Sequence, residues 1–324
     1  MSEITLKEMA KKPDALVCGG RLCAGCDETI VVRQVMKATR GPTIVTNATG
    51  CLEVSTSIFP FTSWEVPWLH SAFENVAASA SGIEAAIKAM QKKKEGPLAK
   101  YPRIDVIAFA GDGGTYDIGF QALSGAIERG HDFTYVLLDN EAYMNTGIQR
   151  SGGTPFGAST TTTPAGKVVH GKTETKKPID EIIIAHGTPY VATINTAWPL
   201  DVIKKTRKAI EVDGPTFLHS LAPCSRGWRF SPEKTIEISR LATQTCVFPL
   251  FECRQEKGRP VYELSAPSLA IAKRPETKKP VEVYLEPQGR FRHFFRPTRN
   301  EALLKEVQQS IDTRWQILCE KAGV

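Results

Sequence analysis

The chain has 324 residues, 41 Lys and Arg against 35 Asp and Glu for a net charge of +6, and 41% hydrophobic residues, enough apolar material for one large packed domain or two. The basic excess comes with no recognised nucleic-acid module, which excludes nucleic-acid binding, and no apolar segment of about 18 residues exists to span a membrane. No internal repeat is present, and with no secretory signal the eight cysteines predict a cytoplasmic chain whose thiols serve metal or redox chemistry rather than disulfides.

In chain order, the first feature is Cys23-Ala24-Gly25-Cys26, a CxxC in a glycine-rich loop, followed by Ala48-Thr49-Gly50-Cys51, a second small-residue loop. Thiolates suit soft iron–sulfur clusters, and small neighbours let backbone amides point at the sulfurs. Cys18 adds a competing pattern, because Cys18, Cys23 and Cys26 have the C-x4-C-x2-C spacing of plant-type two-iron ferredoxins. A closed zinc site of four thiolates and a loop with two incidental buried thiols are the other readings.

A helix with Ala-rich faces is predicted over 72–90. The run Ile104-Asp105-Val106-Ile107-Ala108-Phe109-Ala110 reads as a buried strand, bounded by Pro102 and by Gly111-Asp112-Gly113-Gly114. A helix over 118–127 ending at Gly130, then a strand over 133–138, complete a βαβ unit whose ligand loop lies at the carboxyl end of a strand. Glycines there let the backbone approach a ligand closely. Asp112 and Asn140 stand at the tips of the two strands as hard oxygen donors, the kind that magnesium takes together with ligand phosphates. Neither a Rossmann G-x-G-x-x-G nor a Walker Gly-Lys-Ser/Thr is present, so a dinucleotide site and a P-loop are excluded.

The segment 151–177, rich in Gly, Thr, Pro and Lys, is too long for a simple connection and reads as a cofactor-flanking or interface element. A helix over 200–211 and a strand at 216–219 lead to Ala222-Pro223-Cys224, a loop position for a distant ligand. Alternating strand-like and helix-like runs from 16 to 225 predict an α/β fold with a doubly wound, mostly parallel sheet. Residues 1–225 are read as that domain. Residues 226–324 are read as a C-terminal extension packing on this or a partner subunit: a helix over 232–244, a strand at 261–264, an arm over 267–298 and a terminal helix over 300–321. That helix carries Leu303, Leu304, Val307, Ile311, Trp315 and Leu318 on one face. The lysines at 92–94 and 172–177 are expected on solvated surface. His70, His131, His170, His186, His219 and His293 are expected to be surface or satisfied buried residues.

Taken together, the two cysteine loops, Gly111-Asp112-Gly113-Gly114, the stretch Asp139-Asn140-Glu141-Ala142-Tyr143-Met144-Asn145-Thr146-Gly147 and Ala222-Pro223-Cys224 resemble the β-subunit family of pyruvate:ferredoxin oxidoreductases. Residues 160–167 and 280–285 extend the likeness. Gly-Asp-Gly followed by Asn is similar to the thiamine diphosphate signature, with Asp139 where many of that superfamily have a further Asn. The resemblance implies thiamine diphosphate, Mg2+ and one [4Fe–4S] cluster. It assigns the cluster to Cys23, Cys26, Cys51 and Cys224, leaving Cys18 out. It assigns the magnesium to the side chains of Asp112 and Asn140 and the carbonyl of Ala142. Gly111, Gly113, Gly114 and Cys51 would line the cofactor. Glu28 would border the thiamine, and Asn145 would lie near its thiazolium and the substrate, giving these two catalytic roles. Asp27 replaces the family's usual glycine and is expected to point into solvent.

The implied reaction is reversible oxidative decarboxylation of pyruvate with coenzyme A to acetyl-CoA and CO2, with electrons passing through the cluster to ferredoxin. Oxalate or a branched 2-oxo acid is the alternative substrate, and a non-catalytic iron–sulfur or zinc module the alternative role. No C-x2-C-x2-C-x3-C run exists in the chain. Ferredoxin-like clusters are therefore expected on other subunits, and an α subunit is expected to complete the thiamine site.

Overall fold

A strand covered on both faces needs apolar side chains on both, and the run at 104–110 has them. In the computed structural model, which describes residues 5–324, this run is the central strand β3 (Asp105–Gly111). The other strands are β1 (Thr43–Ala48), β2 (Trp68–Ser71), β4 (Thr134–Asp139), β5 (Tyr190–Asn195), β6 (Thr216–Leu221), β7 (Phe251–Glu256) and β8 (Arg259–Leu264). They form one sheet in the order β2-β1-β3-β4-β6-β5-β7-β8. The first six in that order run parallel, and β7 and β8 close one edge as an antiparallel hairpin.

Successive residues of a strand point to opposite faces, and the core divides accordingly. Val106, Ala108 and Ala110 of β3, with Tyr135 and Leu137 of β4, pack beneath the helices Val76–Lys93 and Phe120–Glu128. Ile107, Phe109, Val136 and Leu138 face the other way, toward the helices Asp27–Ala38 and Pro199–Glu211. The sheet is thus doubly wound, as its sequence pattern predicts. Helix ends follow local chemistry: Pro199 occupies the first turn of its helix, and Gly130, at φ +68°, takes the left-handed turn after Phe120–Glu128.

Residues 226–324 contribute β7 and β8 to this sheet and a third apolar cluster. The stretch read as an arm is wound into short helical turns, Glu282–Leu285, Gly289–Phe291 and Arg292–Phe295. Val281, Tyr284 and Leu285, then Phe291 and Phe294, are buried at helical spacing, in runs that prolines keep short. The terminal helix Glu301–Ala322, capped by Asn300, buries Leu304, Ile311 and Leu318. Among the described residues no helix is long and apolar enough to cross a membrane.

What positions the site is sheet order. The strands β1, β3, β4 and β6 are neighbours. Cys51, Asp112, Asn140 and Cys224 follow their carboxyl ends, so residues scattered over the sequence stand in a row along one edge of the sheet.

Candidate active site

Asp112 leaves β3 buried, only 2% exposed, and accepts a hydrogen bond from the Ser151 hydroxyl. Burial pushes its carboxyl well above the usual range, and the neighbouring Asp139 adds to the effect. Asn140 leaves β4 with its amide Nδ2 donating to Glu28 Oε1 at 2.8 Å, which orients Oδ1 away from Glu28. Among the described residues the one donor on that oxygen is the Ala142 amide, at a long 3.4 Å. The Asn140 main-chain oxygen accepts from the Trp228 indole at 2.7 Å, tying this loop to the turn that follows Cys224. The buried Asp112 carboxylate and the Asn140 amide oxygen are hard donors of the kind magnesium takes. Gly113 opens a single π-helical turn, Gly113–Asp117, before the following helix, and main-chain amides at such a start suit an anion such as a diphosphate.

The glycines have a second reason that the sequence did not disclose. A Cβ at position 113 would fall 2.2 Å from the Tyr143 ring, and one at 114 would fall 3.2 Å from the Phe73 carbonyl. Gly113→Ala is therefore expected to destabilise the protein by about 1–3 kcal/mol through overpacking. Adding Tyr143→Ala should recover part of that loss in thermal unfolding, and no recovery would refute the steric account.

The cysteines converge from three loops. Gly25, at φ +70° and with its Cβ position 2.4 Å from the Pro232 carbonyl, turns the chain between Cys23 and Cys26. Ser225 Oγ donates to the Ala24 carbonyl at 3.0 Å, and Thr235 Oγ1 to that of Gly25 at 2.6 Å. The first bond fastens the CxxC loop to the Cys224 loop, and the second fastens it to the start of the helix Thr235–Gln244. Cys51 opens the helix Cys51–Thr56, and Cys224 Sγ caps its own short helix by accepting from the Gly227 amide at 3.3 Å. Burial raises the thiol pKa of Cys26, Cys51 and Cys224, with Glu28 and the other thiols contributing. Cys23 acts on Cys51 and Cys224, whereas exposed Cys18 lies beside Arg33. Soft thiols on loops that are bonded to one another are the kind of ligand an iron–sulfur group takes, although among the described residues no group of three or more His, Cys, Asp or Glu side chains stands close enough together to hold a metal ion.

Glu28 stands between the two groups. It is 4% exposed, its Oε1 is bound by Asn140, its Oε2 has no partner among the described residues, and burial pushes its carboxyl up to about 7. Asp27 corrects an expectation: it is fully buried rather than solvated, accepting from Thr196 Oγ1 at 2.7 Å, and burial pushes its carboxyl up to about 8. Helix geometry explains the reversal, since Asp27 and Glu28 open a helix whose first turn faces the sheet edge. Asn145 is exposed in the turn at 144–147, between the bridged residues Tyr143 and Gln149.

Beneath Asp112 and Asn140 lies a buried charge network whose partners no local sequence pattern signals. Asp139 accepts from the Tyr116 hydroxyl at 2.7 Å, Lys176 Nζ at 2.6 Å, His219 Nε2 at 2.9 Å and the Glu141 amide at 3.0 Å. Lys176 also pairs with Glu141 at 2.8 Å, and Arg290 with Glu141 at 2.6 Å. Lys172 is 1% exposed and donates to the Thr154 carbonyl, so part of the supposedly solvated lysine cluster points inward. The long loop at 151–177 thus flanks the site. Asp139 in place of Asn was the available signal, because a buried carboxylate requires a cationic partner.

Burial works to lower the pKa of His219, but Asp180 and Asp139 overcome it and push it up to about 9. A raised folded-state value means that this ion pair stabilises fully below about pH 6.5 and is lost as pH rises through 9. His219→Gln is expected to remove that part of the pH dependence, on the order of 3 kcal/mol, from unfolding measured between pH 6 and 10. An unchanged slope would contradict the pairing.

The family described as thiamine pyrophosphate enzyme, C-terminal TPP binding domain, matches residues 48–220. Over 300 residues the chain is 51% identical to pyruvate synthase subunit PorB of Methanocaldococcus jannaschii, covering 93% of this chain and 95% of that one. It is 43% identical over 306 residues to ketoisovalerate oxidoreductase subunit VorB of Pyrococcus furiosus, covering 94% and 93%. Among solved structures, 2-oxoglutarate:ferredoxin oxidoreductase from Magnetococcus marinus is similar in fold, with a TM-score of 0.55 at 19% identity over 85% of this chain and 91% of that chain.

Proposed function

The chain belongs to the PorB family of pyruvate synthase subunits, within the thiamine pyrophosphate enzymes, and on that premise we propose that it is the catalytic β subunit of a cytoplasmic pyruvate:ferredoxin oxidoreductase. The reaction is oxidative decarboxylation of pyruvate with coenzyme A to acetyl-CoA and CO2, reversible, with electrons delivered to ferredoxin. One observation carries this reading. Glu28, a single buried carboxyl, is bonded to Asn140 of the metal loop while its charge reaches Cys26, Cys51 and Cys224.

Asp112, Asn140 and the Ala142 carbonyl hold the magnesium ion, and the amides of Gly113 and Gly114 face the diphosphate. Cys23, Cys26, Cys51 and Cys224 hold one [4Fe–4S] cluster, which takes one thiolate per iron and so suits cysteines from three loops. When bound, thiamine diphosphate supplies the electron sink for decarboxylation and the cluster supplies a one-electron acceptor. Glu28, bonded to Asn140 through Oε1, borders both groups and can pass a proton through Oε2, which has no partner among the described residues. Asn145 acts on substrate once an α subunit closes over its exposed turn. Other subunits carry the onward clusters.

The likeness to the ketoisovalerate relative makes a branched 2-oxo acid the competing substrate. The test is ferredoxin reduction by the assembled complex with coenzyme A and a panel of 2-oxo acids. Fastest turnover on pyruvate is expected. Failure with every 2-oxo acid would sink the reading.

A further inference from the structure

Three exposed arginines, Arg229, Arg292 and Arg296, line an open recess of about 580 Å3 together with Ser159 and His293, and among the described residues no acidic side chain lines it. Its walls come from three separated segments that are fastened to each other. The Gly289 amide donates to the Arg229 carbonyl at 3.3 Å, and the Ser159 amide to that of Arg290 at 3.0 Å. A Cβ at position 289 would lie 2.7 Å from Cβ of Arg229, so Gly289 sets the close approach of two walls. Neighbouring arginines on the same segment are neutralised: Arg290 pairs with Glu141, and Arg299 with Glu282 and Glu301. Among the described residues, none of the three lining the recess forms an ion pair with a carboxylate.

Like charges gathered in a concave frame without carboxylates repel one another unless an anion joins them. Guanidinium forks match the oxygens of a phosphate, and three of them around one recess can close on a single compact anion. Ser159 Oγ accepts from the Ala165 amide at 3.2 Å, which leaves its O–H to donate inward. His293 gives Nε2 to the His170 carbonyl at 3.2 Å, and burial holds its pKa below the ordinary value, so the positive charge comes from the arginines.

We propose that this recess binds a terminal phosphate group. Resting on the functional reading above, its source is the monoester phosphate of coenzyme A, with free inorganic phosphate as the other source of the same chemistry. The test is calorimetric titration of the assembled complex with coenzyme A, dephospho-coenzyme A and inorganic phosphate, for the wild type and for Arg292→Gln/Arg296→Gln. The wild type is expected to bind coenzyme A at least about tenfold more tightly than the dephospho form. The double variant should lose that preference while its affinity for the dephospho form stays the same. Arg292→Lys/Arg296→Lys, with charge but no forks, should regain part of it. Inorganic phosphate binding that is lost in the variant, with coenzyme A affinity unchanged, supports the site with the second source. Identical binding of all three probes by wild type and variant overturns the proposal. Because binding rather than turnover is read, an inactive complex would refute the functional reading without touching this result.

Discussion

Cys224→Ser is expected to strip iron and sulfide from the chain, whereas Cys18→Ser should leave both in place, with counts of iron and sulfide per chain as the measurement. The four-thiol set rests on how the loops are fastened. Ser225 bonds the carbonyl of Ala24, bringing the Cys224 loop against the CxxC loop, and Thr235 bonds that of Gly25. Besides burial, Cys224 raises the thiol pKa of Cys26 and Cys51, and Cys23, exposed like Cys18, raises those of Cys51 and Cys224, while Cys18 lies beside Arg33. Serine suits the test because its hydroxyl can still cap the Gly227 amide, so the helical turn Ser225–Trp228 keeps its N-cap. A hydroxyl is a poor ligand for soft iron. Ferredoxin reduction should fall by more than about a hundredfold, since even partners one layer outside a metal site often cost that much. Iron retained by Cys224→Ser and lost by Cys18→Ser would move the site to the N-terminal trio and its two-iron spacing.

How much of this was legible in advance depends on the range of the interactions. The unit from β3 to β4 could be read because its signals are local: apolar runs of strand length, glycines between them and a helix that stops at Gly130. The terminal helix could be read for the same reason, its apolar residues recurring on one face. Lys176 could not. Its partners Asp139 and Glu141 lie across a long irregular loop, and in sequence it sits in a lysine-rich run that looks solvated. Asp27 was misread because the sequence does not say which way the first turn of its helix faces. The aromatic residues at 284–294 have helical spacing, but in pieces too short to register as helices. The role of Tyr143 against Gly113 is a packing fact between residues thirty positions apart, and no local pattern encodes it.

Asp112 and Asp139 end adjacent strands, are both buried, and are expected to fail in opposite ways when each is replaced by asparagine. Burial and the charge of Asp139 raise the pKa of Asp112, so its ionised form costs stability unless a cation lies beside it. Asp112→Asn should leave the stability of the cofactor-free complex unchanged or raised, while magnesium affinity falls by more than about a hundredfold. Asp139 is the reverse case. Burial opposes its charge too, but Lys176 and His219 hold its carboxyl well below the usual range. Asp139→Asn removes a carboxylate that four donors share and leaves buried cations short of a partner, at a cost of about 3–5 kcal/mol. Thermal unfolding with and without magnesium and thiamine diphosphate separates the two. A ligand that binds only the folded protein raises its melting temperature, so the wild type should shift upward. Asp112→Asn should begin at or above the wild-type temperature and fail to shift. Asp139→Asn should begin well below it and still shift. A ligand-induced rise that survives in Asp112→Asn would remove that carboxylate from the metal site, and an unperturbed Asp139→Asn would mean that Lys176 and His219 do not depend on it.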